Sequence, residues 1–314
     1  MTDNNNIEEA RYMSPLTSYG FKKVFGEKDI MIAFLTDLLN PVSPIEDVIF
    51  LDKEMEADPE DTLSITYDLR CKTEDGGEFI VEMQHNEQTH FSNRILRYLS
   101  HAISEQGEKG TNWNFNLHPV YGVFFMNFHM KGLRPQSIRT IRLKADETGE
   151  IFCEKLNTFT LELVDFKDKP EAYPKSQIEY WLYNIVNMGS MTEALPFQSQ
   201  QPIFSKVGSI SELSHMNSDE RKRYLNSLNR YRTNLSVMEY ARAEGRAEGL
   251  AECIAEERAE GWAEGWAKGW AEGLAEGRAI LDSEIIHRLL AKGKTPKEIA
   301  DFLYIDIDEV RKYL

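Results

Sequence analysis

Residues 63–84 read LSITYDLRCKTEDGGEFIVEMQ. Two runs of alternating, β-prone residues, 63–73 and 78–84, are separated by Glu74-Asp75-Gly76-Gly77. That pattern predicts a β-hairpin closed by a glycine-containing turn. Side chains alternate across a strand, so Glu82 and Gln84 share one face and Val81 and Met83 the other. By parity Val81 and Met83 face the core, and Glu82 and Gln84 emerge on a polar face. A short hairpin sets Asp68, in the first strand, opposite Glu82. Two carboxylates so placed suit a hard cation, Mg²⁺ or Mn²⁺, which polarises a phosphodiester and activates an attacking water. The spacing from Asp68 to Glu82 and Gln84 is equally that of a half-buried hairpin with a solvated polar face.

Working outward, residues 28–39 predict a helix stopped at Asn40-Pro41. A second helix is expected over 89–109, where Phe91, Ile95, Leu99, Ala102 and Ile103 recur at spacings of three and four. The run HPVYGVFFMNF, 118–128, is nearly all apolar and predicts a buried central strand. Further strands are expected at 137–144, 150–154 and 158–165, and a helix at 175–188 carrying Trp181. Helix, hairpin, helix, strand is the order of an α/β fold.

The 314 residues, 41% hydrophobic, suffice for one large domain or two of ~150 residues. Asp and Glu number 52 against 36 Lys and Arg, a net charge of −16. Bulk charge therefore does not mark a nucleic-acid binder, and any such contact needs a local basic patch. Cys71, Cys153 and Cys253 are scattered and lack a CxxC, which excludes a disulfide framework or a cysteine-rich zinc site. No apolar run approaches the ~20 residues of a membrane helix, and the polar start MTDNNNIEEA lacks a signal-peptide core. The expected setting is the cytoplasm, without membrane contact.

The segments SPLTSYGFKKVFGE, YDLRCKTEDGGEFIVEMQ, RILRYLSHAISEQGEKG, HPVYGVFFMNF, FTLELVDF and EYWLYNI occur in this order over residues 13–190. This ordered set resembles the recombination-promoting nucleases, also described as transposases, of the PD-(D/E)XK superfamily. The resemblance implies a restriction-endonuclease-like mixed sheet flanked by helices. It also implies a Mg²⁺-dependent DNA endonuclease acting in recombination, on mobile elements or in defence. Asp68 and Glu82 match the superfamily's acidic positions and would hold the metal, Mg²⁺ or Mn²⁺. Gln84 stands where the superfamily has lysine. An amide orients water through hydrogen bonds but carries no charge. The missing cation would come from Lys22 of the FKKVFG segment, or from Arg94, which shares a helix face with Tyr98 four residues on. The alternative is an inactive nuclease fold that binds DNA or protein and assembles through its C-terminal repeat.

The remainder divides by composition. Residues 1–190 form the nuclease-like domain, 191–240 a polar and basic connector, 241–279 a tetrad repeat and 280–314 a small tail. The connector holds Arg221, Lys222, Arg223, Arg230 and Arg232, interleaved with Tyr224 and Tyr231. These are either phosphate contacts on a mobile arm or a solvated helix face. Nine AEGx-type tetrads fill 243–278. As a helix they would span about 54 Å, with an alanine stripe drifting about 40° per tetrad. Glycine in seven tetrads costs roughly 1 kcal/mol each relative to alanine. Trp262, Trp266 and Trp270 form one apolar sector, so self-association through repeat and tail is expected. The tail resembles a helix-turn-helix, with Thr295 as N-cap, Pro296 at the first helical position and Glu298 completing a capping box. Acidic residues at the start of its last helix favour protein contact over DNA reading. His85 follows the motif on the opposite parity. His90, His101 and His118 show no ligand spacing, and Cys71 has no histidine partner motif.

Overall fold

The hairpin supplies two strands of a six-stranded mixed sheet in a computed structural model that describes residues 10–41, 45–51, 67–86, 89–107, 114 and 116–314. Residues 63–66 of the expected first strand, and 108–109 of the expected helix, lie outside the described residues. The strands are β1 (Val48–Phe50), β2 (Leu69–Thr73), β3 (Glu78–Gln84), β4 (Val120–Met126), β5 (Ile138–Lys144) and β6 (Ile151–Glu162). Their order is β1-β2-β3-β4-β6-β5. The three strands β3, β4 and β6 run parallel, while β1, β2 and β5 are antiparallel to their neighbours. Gly76 closes the hairpin at φ +85°, where a Cβ would also meet the His118 ring at 2.3 Å.

β3 is buried on both faces, and this corrects the expectation of a solvated polar face. Phe79, Val81 and Met83 join the larger core, beneath α1 (Ser18–Phe25), α2 (Lys28–Leu39), α4 (Gln177–Asn187) and α5 (Ile203–Ser211). The parity is as read, but the other face is covered by α3 (Phe91–Ser104). From α3, Phe91, Ile95, Tyr98 and Leu99 pack with Ile80, Phe124 and Met126. Glu82 and Gln84 therefore lie under α3, 2% and 6% exposed. A strand with parallel neighbours is covered by helices on both sides, which alternation along one strand does not reveal.

The larger core is aromatic at its centre: Phe34 lies 5.3 Å from Phe125 and 5.7 Å from Trp181, ring to ring. The indole N–H of Trp181 donates to Asp37 Oδ2 at 2.7 Å, so its polar edge is satisfied. Phe34→Ala is expected to cost about 3–5 kcal/mol through lost burial and the cavity left behind. Urea unfolding followed by tryptophan fluorescence reads this, and a loss below about 1 kcal/mol would contradict the packing.

Two expected strands, 150–154 and 158–165, are one. β6 runs unbroken to Glu162, and Leu163–Phe166 then form a 3₁₀ turn. The intervening residues 155–157, KLN, stay in the strand because Leu156 and Asn157 pair in parallel with Val120 and Tyr121 of β4. β1 and α5, both unforeseen, are short elements whose Val48, Phe204 and Val207 fill the core.

Residues 1–234 and 235–314 form two units. A single helix, α6 (Ser218–Ala291), contains the basic segment, the tetrads and the start of the tail. No described helix is long and apolar enough to cross a membrane. In the second unit, Ile286 packs with Ile299 and Ala300 of α7 (Pro296–Leu303) and Val310 of α8 (Ile307–Arg311). The Thr295 N–H donates to Glu298 Oε2 at 2.9 Å, closing the expected capping box, and Asp306 caps α8.

Candidate active site

Leu69 of β2 pairs with Val81 of β3, so the next step along the ladder sets Asp68 beside Glu82. Asp68 itself lies in a bend just before β2 rather than within the strand. Its backbone N–H donates to Glu82 Oε1 at 2.9 Å, and the Met83 N–H donates to Asp68 Oδ2 at 3.1 Å. Each carboxylate thus has one oxygen fixed by the backbone. The other pair, Asp68 Oδ1 and Glu82 Oε2, faces cationic side chains.

Those cations come from helices on opposite faces of the sheet. Lys22 of α1 places Nζ 3.6 Å from Asp68 Oδ1. The helix is pinned where Gly20 passes Ser14, whose carbonyl oxygen would lie 2.1 Å from a Cβ at that position. Arg94 of α3 places a terminal nitrogen 3.6 Å from Glu82 Oε2. Its Nε–H donates to the Tyr98 hydroxyl at 3.0 Å, so the i,i+4 relation positions the guanidinium. Between them, Gln84 Nε2 donates to Glu82 Oε2 at 3.1 Å, and Gln84 Oε1 lies 3.5 Å from Arg94. All six residues singled out from the sequence around this motif converge on one site.

Burial, and secondly the charge of Asp68, push the Glu82 carboxyl up to about 7. Burial likewise raises the Tyr98 phenol, with the Glu82 charge adding to it. The donor set is hard: two carboxylates that repel one another and one amide oxygen, at the carboxyl end of a parallel strand. A divalent cation suits such a pair, because it lowers the cost of ionising both carboxylates together.

A family described as PD-(D/E)XK nuclease family transposase matches residues 15–241, more than half of the chain. The chain belongs to that family. No curated protein and no solved structure matches it. The family assignment makes the six-stranded mixed sheet the sheet of a PD-(D/E)XK nuclease, and the long C-terminal helix continues past the matched residues.

In this PD-(D/E)XK chain the connector's basic segment, 221–232, is a packed part of α6, not an arm. The Tyr224 hydroxyl accepts from the Ser14 N–H at 3.1 Å, and Ser227 Oγ accepts from the Tyr19 N–H at 3.0 Å. Arg221, Lys222, Arg223 and Arg230 are exposed, and Arg223 lies over the Tyr19 ring at 5.9 Å. Arg232 is half-buried, its Nε enclosed. The connector tyrosines therefore serve packing: Tyr231 meets the His85 ring at 4.9 Å. Burial lowers His85 to about 4, which keeps it neutral. Cys71 is buried and its thiol pushed up to about 12, so it is no nucleophile at neutral pH.

One cluster escaped the sequence reading. His129, Glu162 and Asp165 offer ligand atoms all within 4.8 Å of one another. Glu162 and Asp165 stand three apart in FTLELVDF, and His129 directly follows HPVYGVFFMNF. The parallel pairing of β4 with β6, Met126 beside Glu162, brings the two segments together.

Proposed function

We propose that this PD-(D/E)XK family member is a Mg²⁺-dependent DNA endonuclease, with Mn²⁺ as substitute, in which Asp68 and Glu82 hold the metal. The observation that carries the reading is the convergence of Asp68, Glu82, Gln84, Lys22 and Arg94, drawn from the bend before β2, from β3 and from two helices. When bound, the metal supplies Lewis-acid polarisation of the phosphodiester and a more acidic water. Gln84 orients the attacking water through its amide. Lys22 and Arg94 supply the positive charge that offsets the extra negative charge of the pentacovalent phosphorus. Exposed Arg221, Lys222, Arg223 and Arg230, with half-buried Arg232, give α6 a basic start that would hold DNA phosphates without reading bases. The transposase wording of the family description supports a role on mobile DNA, and the proposed setting is the cytoplasm. Cleavage of plasmid DNA by the full chain with Mg²⁺ tests the reading.

The Glu82 carboxyl implies a pH dependence. Its folded value, about 7, lies above the ordinary 4.5, so the folded chain binds this proton more tightly than the unfolded chain. Its stabilising contribution is complete below about pH 4.5 and is lost as pH rises toward 7. A divalent cation takes the ionised form. Mn²⁺ affinity is therefore expected to rise close to tenfold per pH unit between about 5 and 7 and then to flatten. Calorimetry across that range checks it; an affinity independent of pH would contradict the Glu82 assignment.

The same chain is proposed to self-associate through α6. At 100° per residue, Trp262, Trp266, Trp270, Leu274, Ile280 and Leu281 fall within about 120° of the helix surface. Glu264, Lys268, Glu272, Glu276 and Arg278 lie outside that sector. The tryptophans are 75%, 60% and 63% exposed, and Trp266 stacks on Trp270 at 5.6 Å. Six such side chains present on the order of 700 Å² per copy, close to the ~800 Å² per partner of a standard interface. Light scattering is expected to give a dimer for the full chain and a monomer for Trp266→Glu/Trp270→Glu. A full chain that is monomeric at micromolar concentration would end the proposal.

A further inference from the structure

We infer that His129, Glu162 and Asp165 form a second cation site, separate from the Asp68–Glu82 centre, that takes a first-row divalent metal such as Zn²⁺. Three observations meet there. First, the side chain of Glu162, at the end of β6, is fully buried, yet among the described residues its ion pair is with His129. The ion pair of Asp165 is also with His129. Two carboxylates share one imidazole, so the cluster carries net charge −2 with neutral His129 and −1 with the imidazolium. Excess negative charge beside a buried carboxylate is costly unless a cation balances it.

Second, the two ring nitrogens of His129 are differentiated. Nδ1 lies 2.5 Å from Glu162 Oε2, and the Met130 N–H reaches Glu162 Oε1 at 3.4 Å. A carboxylate accepting from Nδ1–H fixes the tautomer that leaves the Nε2 lone pair directed outward. That carboxylate–histidine pairing is the usual support behind an imidazole that ligates a metal.

Third, the outward nitrogen has a partner at ligand spacing. His129 Nε2 and Asp165 Oδ1 are 3.8 Å apart. Two donors each about 2.1 Å from a tetrahedral cation stand roughly 3.4 Å apart, so a small adjustment brings both into ligation. The Ser137 hydroxyl donates to Asp165 Oδ2 at 2.6 Å, which leaves Oδ1 for the metal. The His129 side chain is half exposed, giving an entry path and room for waters to complete the shell.

An imidazole nitrogen with a carboxylate oxygen suits Zn²⁺ better than Mg²⁺, which prefers all-oxygen shells. The cation would tie the segment after β4 to the 3₁₀ turn after β6. Gln84, Met126 and Glu162 occupy one row across β3, β4 and β6. At ~4.8 Å per strand, Glu162 stands about 10 Å from Gln84, too far for the two sites to share an ion.

The test uses tag-free full-length chain bearing Asp68→Ala, so that the first centre does not contribute. Calorimetry with ZnCl₂ is expected to show one bound ion per chain. Adding His129→Gln or Asp165→Asn is expected to weaken it at least about 30-fold. Glu162→Gln, which keeps the shape but loses the charge behind Nδ1, is expected to weaken it about 10–100-fold. Circular dichroism identifies any variant that fails to fold. Zn²⁺ binding by the folded His129→Gln variant as tight as its parent's, or no binding by the folded parent, would overturn the site. Neither result depends on nuclease activity.

Discussion

Plasmid DNA incubated with the full chain and Mg²⁺ is expected to be nicked or cut, and Asp68→Ala or Glu82→Ala to slow this by on the order of 10³–10⁴-fold. The magnitude follows from how groups that act as a unit behave: removing one member forfeits most of what the set contributes. Here the unit is visible in the bonding. The Asp68 N–H holds Glu82 Oε1, and the Met83 N–H holds Asp68 Oδ2, so neither carboxylate is positioned independently. Glu82→Gln separates charge from structure. The amide keeps the volume of a side chain that is 2% exposed and still accepts from the Asp68 N–H. Without the charge, metal binding and cleavage should fall together, while the thermal transition moves little or rises, since the cost of ionising a buried carboxyl disappears. Gel analysis of supercoiled, nicked and linear forms reads the rate. Wild-type cleavage by both alanine variants would remove these residues from the active site.

The parts of this site that could be read in the sequence are those set by short-range periodicity. Parity along EFIVEMQ assigns Glu82 and Gln84 to one face, and the turn length brings Asp68 to Glu82; both are local geometry. The i,i+4 relation of Arg94 to Tyr98 is local as well, and their hydrogen bond is as the helix requires. What the sequence did not show was the burial of that face. It follows from α3 packing over β3, a contact between elements with no shared pattern. Lys22 and Arg94 were candidates for a single cationic role, and the fold brings both to the site. One arrives with α1 and the other with α3, on opposite faces, a pairing that only the layered packing creates. The His129 cluster was hidden for a similar reason. His129 is a lone histidine after an apolar run, and its partners lie more than thirty residues on, joined by a parallel ladder.

Arg94→Ala is expected to lower cleavage about 100-fold, and adding Gln84→Lys to that variant is expected to restore about tenfold of the loss. The reasoning starts from what each side chain can do. A glutamine both donates and accepts, and Gln84 uses both ends: Nε2 donates to Glu82 Oε2 at 3.1 Å, while Oε1 faces the Arg94 guanidinium at 3.5 Å. A lysine has donors only. In the wild-type setting Gln84→Lys would place an ammonium against Arg94, so alone it should slow cleavage. With Arg94 removed, the repulsion is gone and the ammonium can bond Glu82 and carry the charge that Arg94 supplied. Gln84 and Arg94 together would then do the work of one lysine, divided between a strand and a helix. The prediction is therefore a coupling of opposite sign to simple damage: two substitutions that each impair the enzyme partly compensate when combined. Single-turnover rates with saturating Mg²⁺ for the four chains of the cycle measure it, with tight-binding controls on DNA affinity. If the double variant is no faster than Arg94→Ala, or if Arg94→Ala stays within twofold of wild type, the charge is supplied elsewhere, and Lys22, 3.6 Å from Asp68, becomes the residue to test.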